Sequence, residues 1–292
     1  MPVQFVINGI AAGAAIALVA MGFGLIYTTT RVFHMAHGAV YLAGGYVAYA
    51  CIDTLGLGAP TAVCCAIIAS ALLGVTIERC FYRPLRQKQA PAVVVLLCSL
   101  GLLVAIQNLI ALAFGNQTLM LRESGQDAVF DVLGGRITLP QVIIVGVSIV
   151  VALAMWAGLR LTTTGRIIRA VASDPDLANA VGLPRDRALL IVAAAGSAVA
   201  GLAGVLVGYE QDLTPMMGFH GLLLGIVAAI IGGAGSVGGT LLGGFLVGLA
   251  MHLGVWKLPT QWQQAIVFIV LIVFLLTRPQ GILGKRTRTA TI

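Results

Sequence analysis

The chain has 292 residues, of which 59% are hydrophobic and 9% charged, with a mean hydropathy of +1.03; a water-soluble globular domain carries roughly 25% charged residues, so that class is excluded. The formal charge of +7 comes from seventeen Lys and Arg against ten acids. These cations stand at the ends of apolar runs, not in a patch interleaved with aromatics, so membrane topology explains them better than nucleic-acid binding.

The opening Met1-Pro2-Val3-Gln4 lacks the basic region and small-residue cleavage site of a signal peptide, so the first apolar run is expected to stay as a span. Apolar stretches lie near residues 3–27, 38–52, 60–77, 91–114, 140–159, 188–208, 218–232, 237–254 and 262–277. A bilayer core of about 30 Å takes about 20 helical residues to cross. Residues 142–157 are apolar on every face, whereas a barrel strand alternates polar and apolar positions, and only helices otherwise satisfy the backbone in lipid. The expected fold is all-α, a polytopic bundle of about nine spans in a single transmembrane domain over residues 1–292. The short second stretch and the hairpin of the seventh and eighth could be re-entrant, leaving eight or ten crossings open.

The break after the first stretch, residues 31–39, carries His34 and His37. Two imidazoles three residues apart could begin a metal site, but no Asp, Glu or Cys lies close enough in sequence to complete one. His37 beside Gly38 suits a helix end, where its ring bonds backbone carbonyls or lines a translocation cavity. The polar residues that enter spans are neutral, chiefly Asn8, Gln107, Asn108, Gln263 and Gln264. Asn8, His37, Gly38, Gln107 and Asn108 are therefore the candidate substrate-path residues, with helix–helix bonding the competing role for the amides. Five cysteines (Cys51, Cys64, Cys65, Cys80 and Cys98) form no C-x-x-C pair and suit small apolar packing residues.

The longest polar loop, about 160–187, contains a short helix marked at both ends. Asp174 suits the N-cap, Pro175 the first helical position, Asp176 the positive end of the dipole, and Gly182 the left-handed position after the last turn. Such an element between two spans suits a surface offered to a soluble partner, or an ordinary connector. Further on, Gly233-Ala234-Gly235-Ser236-Val237-Gly238 matches G-x-G-x-x-G. The dinucleotide fingerprint also needs a preceding strand, a soluble βαβ unit and an acid about 20 residues on, and none is present. Close helix packing accounts better for Gly235, Gly239 and Gly243, which recur every four residues, as do Gly244 and Gly248.

Orientation follows from the loops. One set holds Arg31; Arg79, Arg83, Arg86 and Lys88; Arg160, Arg166, Arg169, Arg185 and Arg187; and Arg278, Lys285, Arg286 and Arg288, against only Arg122, Arg136 and Lys257 in the other. The first set is expected in the cytoplasm, placing the amino terminus outside and the carboxyl terminus inside. The opposite loops carry Asp53, Glu123, Asp127, Asp131, Glu210 and Asp212. No acid falls in the interior of a span, which argues against proton or sodium coupling, and no G-x-x-x-x-G-K-[ST] is present to bind ATP.

Ile7-Asn8-Gly9-Ile10-Ala11-Ala12-Gly13, Ala20-Met21-Gly22, Ala36-His37-Gly38 and Gly44-Gly45-Tyr46 are similar to the start of the permease subunits of ABC importers for branched-chain amino acids. Arg169, Ala170, Asp174, Ala178 and Gly182 resemble that family's ATPase-docking loop, a degenerate "EAA" motif. Gly232-Gly233-Ala234-Gly235-Ser236-Val237-Gly238-Gly239 and Arg278-Pro279-Gln280-Gly281-Ile282-Leu283-Gly284 resemble further signatures, so the likeness runs nearly end to end. Phe33-His34-Met35 stands where Ile-Asn-Phe is more usual.

The resemblance implies one of two membrane subunits in a prokaryotic inner membrane. Its partners would be a homologous second permease, two cytoplasmic ATPase subunits that bind ATP and Mg, and an external substrate-binding protein. No cofactor is expected in this chain. The alternative is an ATP-independent channel or facilitator for a small neutral solute such as urea or a short amide, since importers of those solutes use similar permeases.

Overall fold

The computed structural model describes residues 2–121, 128–132 and 134–284. Arg122, Glu123, Asp127, Lys285, Arg286 and Arg288 of the charge comparison lie outside the described residues. In chain order the helices are α1 (Pro2–Thr30), α2 (His37–Tyr49), α3 (Ala59–Ile77), α4 (Arg83–Gln87), α5 (Ala92–Phe114), α6 (Leu139–Leu161), α7 (Thr163–Ser173), α8 (Pro175–Ala180), α9 (Arg185–Glu210), α10 (Met217–Gly232), α11 (Val237–Gly254) and α12 (Gln263–Thr277). A π turn, Glu78–Tyr82, joins α3 to α4.

Every expected apolar stretch is helical, and the chain is a multi-pass helical bundle. Seven helical segments among the described residues are long and apolar enough to cross a membrane. The other two stretches, α2 with 13 residues and α10 with 16, are shorter than a crossing normally requires.

Helix α1 is the central post. Protein encloses 89% of its most apolar window, against 6% for Thr260–Thr277. Composition explains the contrast: Ala11, Ala14, Ala17 and Ala20 are fully buried, and small side chains let neighbouring backbones approach where lipid supplies no hydrophobic drive for helix association. A Cβ on Gly22 of α1 would stand 2.6 Å from the carbonyl oxygen of Gly196 in α9, and one on Gly196 would stand 2.8 Å from that of Gly22. Helix α11 lies along the same post, where a Cβ on Gly13 would stand 2.8 Å from the Phe245 Cα.

The motif of a long helix, a break and a short helix occurs twice, as α1, residues 31–36 and α2, and as α9, residues 211–216 and α10. The two copies run in opposite senses. The start of α1 and the finish of α9 share one end of the bundle, because Gln4 binds Arg136 of the hairpin that leads into α6 while Gln141 of α6 donates to Glu210. This is an inverted repeat of long helix, break and short helix.

That hairpin, β1 (Val129–Val132) paired antiparallel with β2 (Gly135–Thr138), was not foreseen, although Gly134-Gly135 between β-branched and aromatic residues is a usable turn signal. Gly134 takes a positive φ of 81°. The Gln4 side chain pins the hairpin by donating to the Arg136 carbonyl at 2.9 Å and accepting from its N–H at 2.8 Å.

The three tryptophans lie near span ends, half-exposed. Trp156 has Arg160 over its ring at 6.0 Å, and Trp256 has Lys257 at 5.8 Å; amphipathic rings beside cations suit the membrane interface. Of the cysteines only Cys51 is buried; Cys64, Cys65 and Cys80 are exposed and Cys98 half-exposed. As small apolar packing residues, Cys64 and Cys65 of α3 and Cys80 of the π turn thus face outward rather than into the core of this chain.

Candidate functional site

The break between α1 and α2 is built from buried polar contacts. Arg31 ends α1 with a positive φ of 57°, and its guanidinium donates to the Ala172 carbonyl on α7 at 3.2 Å. His34 then turns inward: its Nδ1 is 2.6 Å from the Tyr82 hydroxyl, which donates to Ser99 Oγ at 2.8 Å, and Ser99 Oγ accepts the Ala36 N–H at 3.0 Å. His34, Tyr82 and Ser99 are no more than 3% exposed. These paired polar groups hold the break in one shape. The π turn that carries Tyr82 also carries Glu78, buried and bonded to Arg86 at 2.6 Å.

His37 is fully buried, with Nε2 3.2 Å from the Val19 carbonyl and no partner for Nδ1. Gly38 lies against the backbone of α10 at Gly218. The other candidate path residues are elsewhere. Asn8 accepts from Gln4 near the hairpin end, Gln107 donates to the Met216 sulfur, and Asn108 is exposed and bonds its own helix at Val104. His37 and Gly38 are therefore neighbours in the core, and the three amides do not join them in one cavity.

The 160–187 loop holds two helices. The shorter, α8, has the expected ends: Asp174 Oδ1 accepts the N–H groups of Asp176 and Leu177 at 3.1 and 2.9 Å, and Gly182 takes a φ of 78°. The longer, α7, was missed; Thr162 caps it by accepting the Gly165 N–H at 2.9 Å. Its Ile168 and Val171 enter one apolar cluster with Ile26 of α1, Ala178 of α8, and Ala188, Leu189 and Val192 of α9.

This changes the expected roles in the loop. Ala178 is 3% exposed and faces the chain's own core, so it cannot seat in a partner's cleft. Leu177 and Val181, 61% and 65% exposed, form the outward apolar face, four residues apart on one side of a helix end. Arg169 is exposed, Ala170 half-exposed, and Gly182 has open space around it. Arg83 bonds Asp186 at 2.8 Å, linking α4 to the start of α9.

The two terminal signatures meet: Ile282 and Leu283 donate backbone hydrogen bonds to Ile231 and Gly232 at 2.8 and 3.1 Å. Within the glycine run the expected packing roles divide. A Cβ on Gly239 or Gly243 would strike the α10 backbone at Gly232 or Ala228, whereas one on Gly235 would meet nothing within 4 Å. Gly235 is thus not part of the packing seam.

Residues 5–275 match the family model described as the permease component of branched-chain amino acid transport systems. The chain belongs to this permease family. It is 32% identical to the high-affinity branched-chain amino acid transport permease LivH of Escherichia coli K12 and of Salmonella typhimurium, covering 97% of this chain and 95% of each relative. It is 30% identical to BraD of Pseudomonas aeruginosa over the same shares. Among solved structures it resembles a chain of PsaBC from Streptococcus pneumoniae in complex with Fab, with a TM-score of 0.53 and 15% identity over 95% of this chain and 93% of that one; that likeness concerns the fold alone.

The permease's buried break and its paired loop helices both fall inside the matched region. Leu177, Val181, Tyr82 and Ser99 were not singled out from sequence. The spacing of Leu177 and Val181 was a signal for the first pair, but nothing local joins Tyr82 to His34.

Proposed function

We propose that this permease is a membrane-spanning subunit of an ATP-binding cassette importer that carries branched-chain amino acids by alternating access. The observation that carries the reading is the capped α7–α8 element, which presents Leu177 and Val181 outward at the Arg-rich end of a chain of this family. An exposed apolar pair on a rigid helix suits a cleft on a soluble partner. That end is assigned to the cytoplasm of a prokaryotic inner membrane and the amino terminus to the outside, as the charge distribution favours.

In this reading two ATPase subunits bind ATP and Mg and move the docking helices. Four contacts of this chain pass that movement inward: the apolar cluster around Ala178, the Arg31 bond to α7, the Arg83–Asp186 pair and the Tyr82–His34 bond. Arg83 and Asp186 are 40% and 49% exposed, so their pair contributes on the order of 1 kcal/mol or less. Burial of one aliphatic side chain contributes roughly 1.5–3 kcal/mol, so the apolar cluster is the main mechanical link. A homologous permease completes the membrane pore, and an external binding protein delivers the solute, a zwitterion with an apolar side chain.

The test is uptake of labelled leucine in cells with and without the proposed partner ATPase, together with recovery of that ATPase on the tagged permease. Uptake that persists without ATPase would replace this reading with a facilitator.

A further inference from the structure

A cleft of about 370 Å³ lies between the end of α1, the α6–α7 junction and the glycine run that opens α11. Arg160 and Arg169 line it, and no Asp or Glu does. Arg160 lies over the Trp156 ring, and among the described residues neither Arg160 nor Arg169 has a hydrogen bond or ion pair. Thr28 donates to the Gly24 and Ala234 carbonyls, while Ser236 accepts the Gly239 N–H and keeps its own O–H as a donor. The polar part of the cleft therefore offers a ligand positive charge and donors, beside apolar walls from Met21, Leu25, Leu159 and Ile168.

A second observation comes from the glycines themselves. A Cβ on Gly235 would meet nothing within 4 Å, and one on Gly238 only the Leu283 Cδ1 at 3.8 Å. Neither residue has a positive φ. Packing and backbone conformation, which explain Gly239 and Gly243, explain neither of these two. A bare backbone facing a cleft is what close approach by a ligand requires, and the N–H groups of Val237 and Gly238 stand in the first turn of α11, where helical donors lack partners.

We propose that this cleft binds a phosphate-class anion, held by the Arg160 and Arg169 guanidiniums over the exposed backbone of residues 235–238. A tetrahedral oxyanion presents several acceptors at once, which suits planar guanidiniums better than a single-point ligand. The anion is either the headgroup of an acidic phospholipid, whose leaflet boundary the half-exposed Trp156 marks, or a free phosphate ester. This inference does not depend on which solute is transported.

The test uses the full chain, with the subunits that co-purify, in phosphatidylcholine nanodiscs. In one arm phosphatidylglycerol is added to the discs; in the other, inorganic phosphate is titrated. The readout is the thermal unfolding midpoint. A rise with phosphatidylglycerol alone assigns the headgroup, and a rise with phosphate assigns a free anion; either supports the site. The Arg160→Gln/Arg169→Gln variant should lose the rise. Gly235→Ala/Gly238→Ala, where each added Cβ has room, should weaken half-saturation by about tenfold, equivalent to about 1.4 kcal/mol. Arg166→Gln/Arg187→Gln removes the same charge from the same end outside the cleft and should keep the rise. No rise in either arm, an unchanged response in the glycine variant, or equal loss in the Arg166/Arg187 variant would overturn the proposal.

Discussion

Gly38 and Gly218 exclude side chains from each other reciprocally. A Cβ on Gly38 would stand 2.6 Å from the Gly218 carbonyl oxygen and 3.0 Å from the Leu222 Cβ; one on Gly218 would stand 2.7 Å from the Gly38 carbonyl oxygen and 3.0 Å from the Leu42 Cβ. Residues four positions on thus play matching roles on the two short helices, as the inverted repeat requires. Each helix begins at a break, so this crossing sets where the two breaks sit relative to each other.

Gly38→Ala and Gly218→Ala should each destabilise the permease, because the obstructing atoms are backbone and cannot rotate away. Overpacking of this kind costs about 1–3 kcal/mol. Since both substitutions strain one contact, the double variant should lose less than the sum. Thermal unfolding of the purified permease tests this, and wild-type stability in either single variant would contradict the crossing.

Leu177→Asp and Val181→Asp alter exposed positions and should leave folding intact, within about 0.5 kcal/mol, while abolishing ATPase recovery and leucine uptake. Ala178→Leu should behave oppositely, lowering stability by about 1–3 kcal/mol through overpacking of the cluster it enters. Gly182→Val adds a Cβ in a left-handed conformation and costs on the order of 1–2 kcal/mol at the end of α8. Stability and ATPase retention measured on the same preparations separate the two classes. If Leu177→Asp retained the ATPase, the outward face would not be the docking surface.

Tyr82→Phe removes the hydroxyl that His34 and Ser99 share while keeping the ring. Leaving buried polar groups unpaired should cost about 1–3 kcal/mol, read as a lowered unfolding midpoint. Ser99→Ala should act similarly by orphaning the Ala36 N–H. A neutral Tyr82→Phe would show that water replaces the hydroxyl and that the break is less tightly closed than its geometry indicates.

In a background without the native cysteines, Lys257→Cys should react with an impermeant thiol reagent in intact cells, and Ser173→Cys only after the membrane is opened. The reverse pattern would invert the proposed orientation.

Much of this was legible along the chain because the forces involved are local. Lipid demands long apolar helices wherever they occur, and the Asp174, Pro175 and Gly182 cap signals act within a turn of themselves, so spans, loop and helix end could be read without knowing what they touch. Family motifs added the likeness that residues 5–275 bear out. Helices apolar on every face, however, carry no stripe that says which side is buried. Close backbone approach decides that, and it depends on how all the helices cross. Only the folded chain could set Gly38 against Gly218, turn Ala178 inward and Leu177 outward, join Tyr82 to His34, and leave Gly235 facing open space while Gly239 and Gly243 pack.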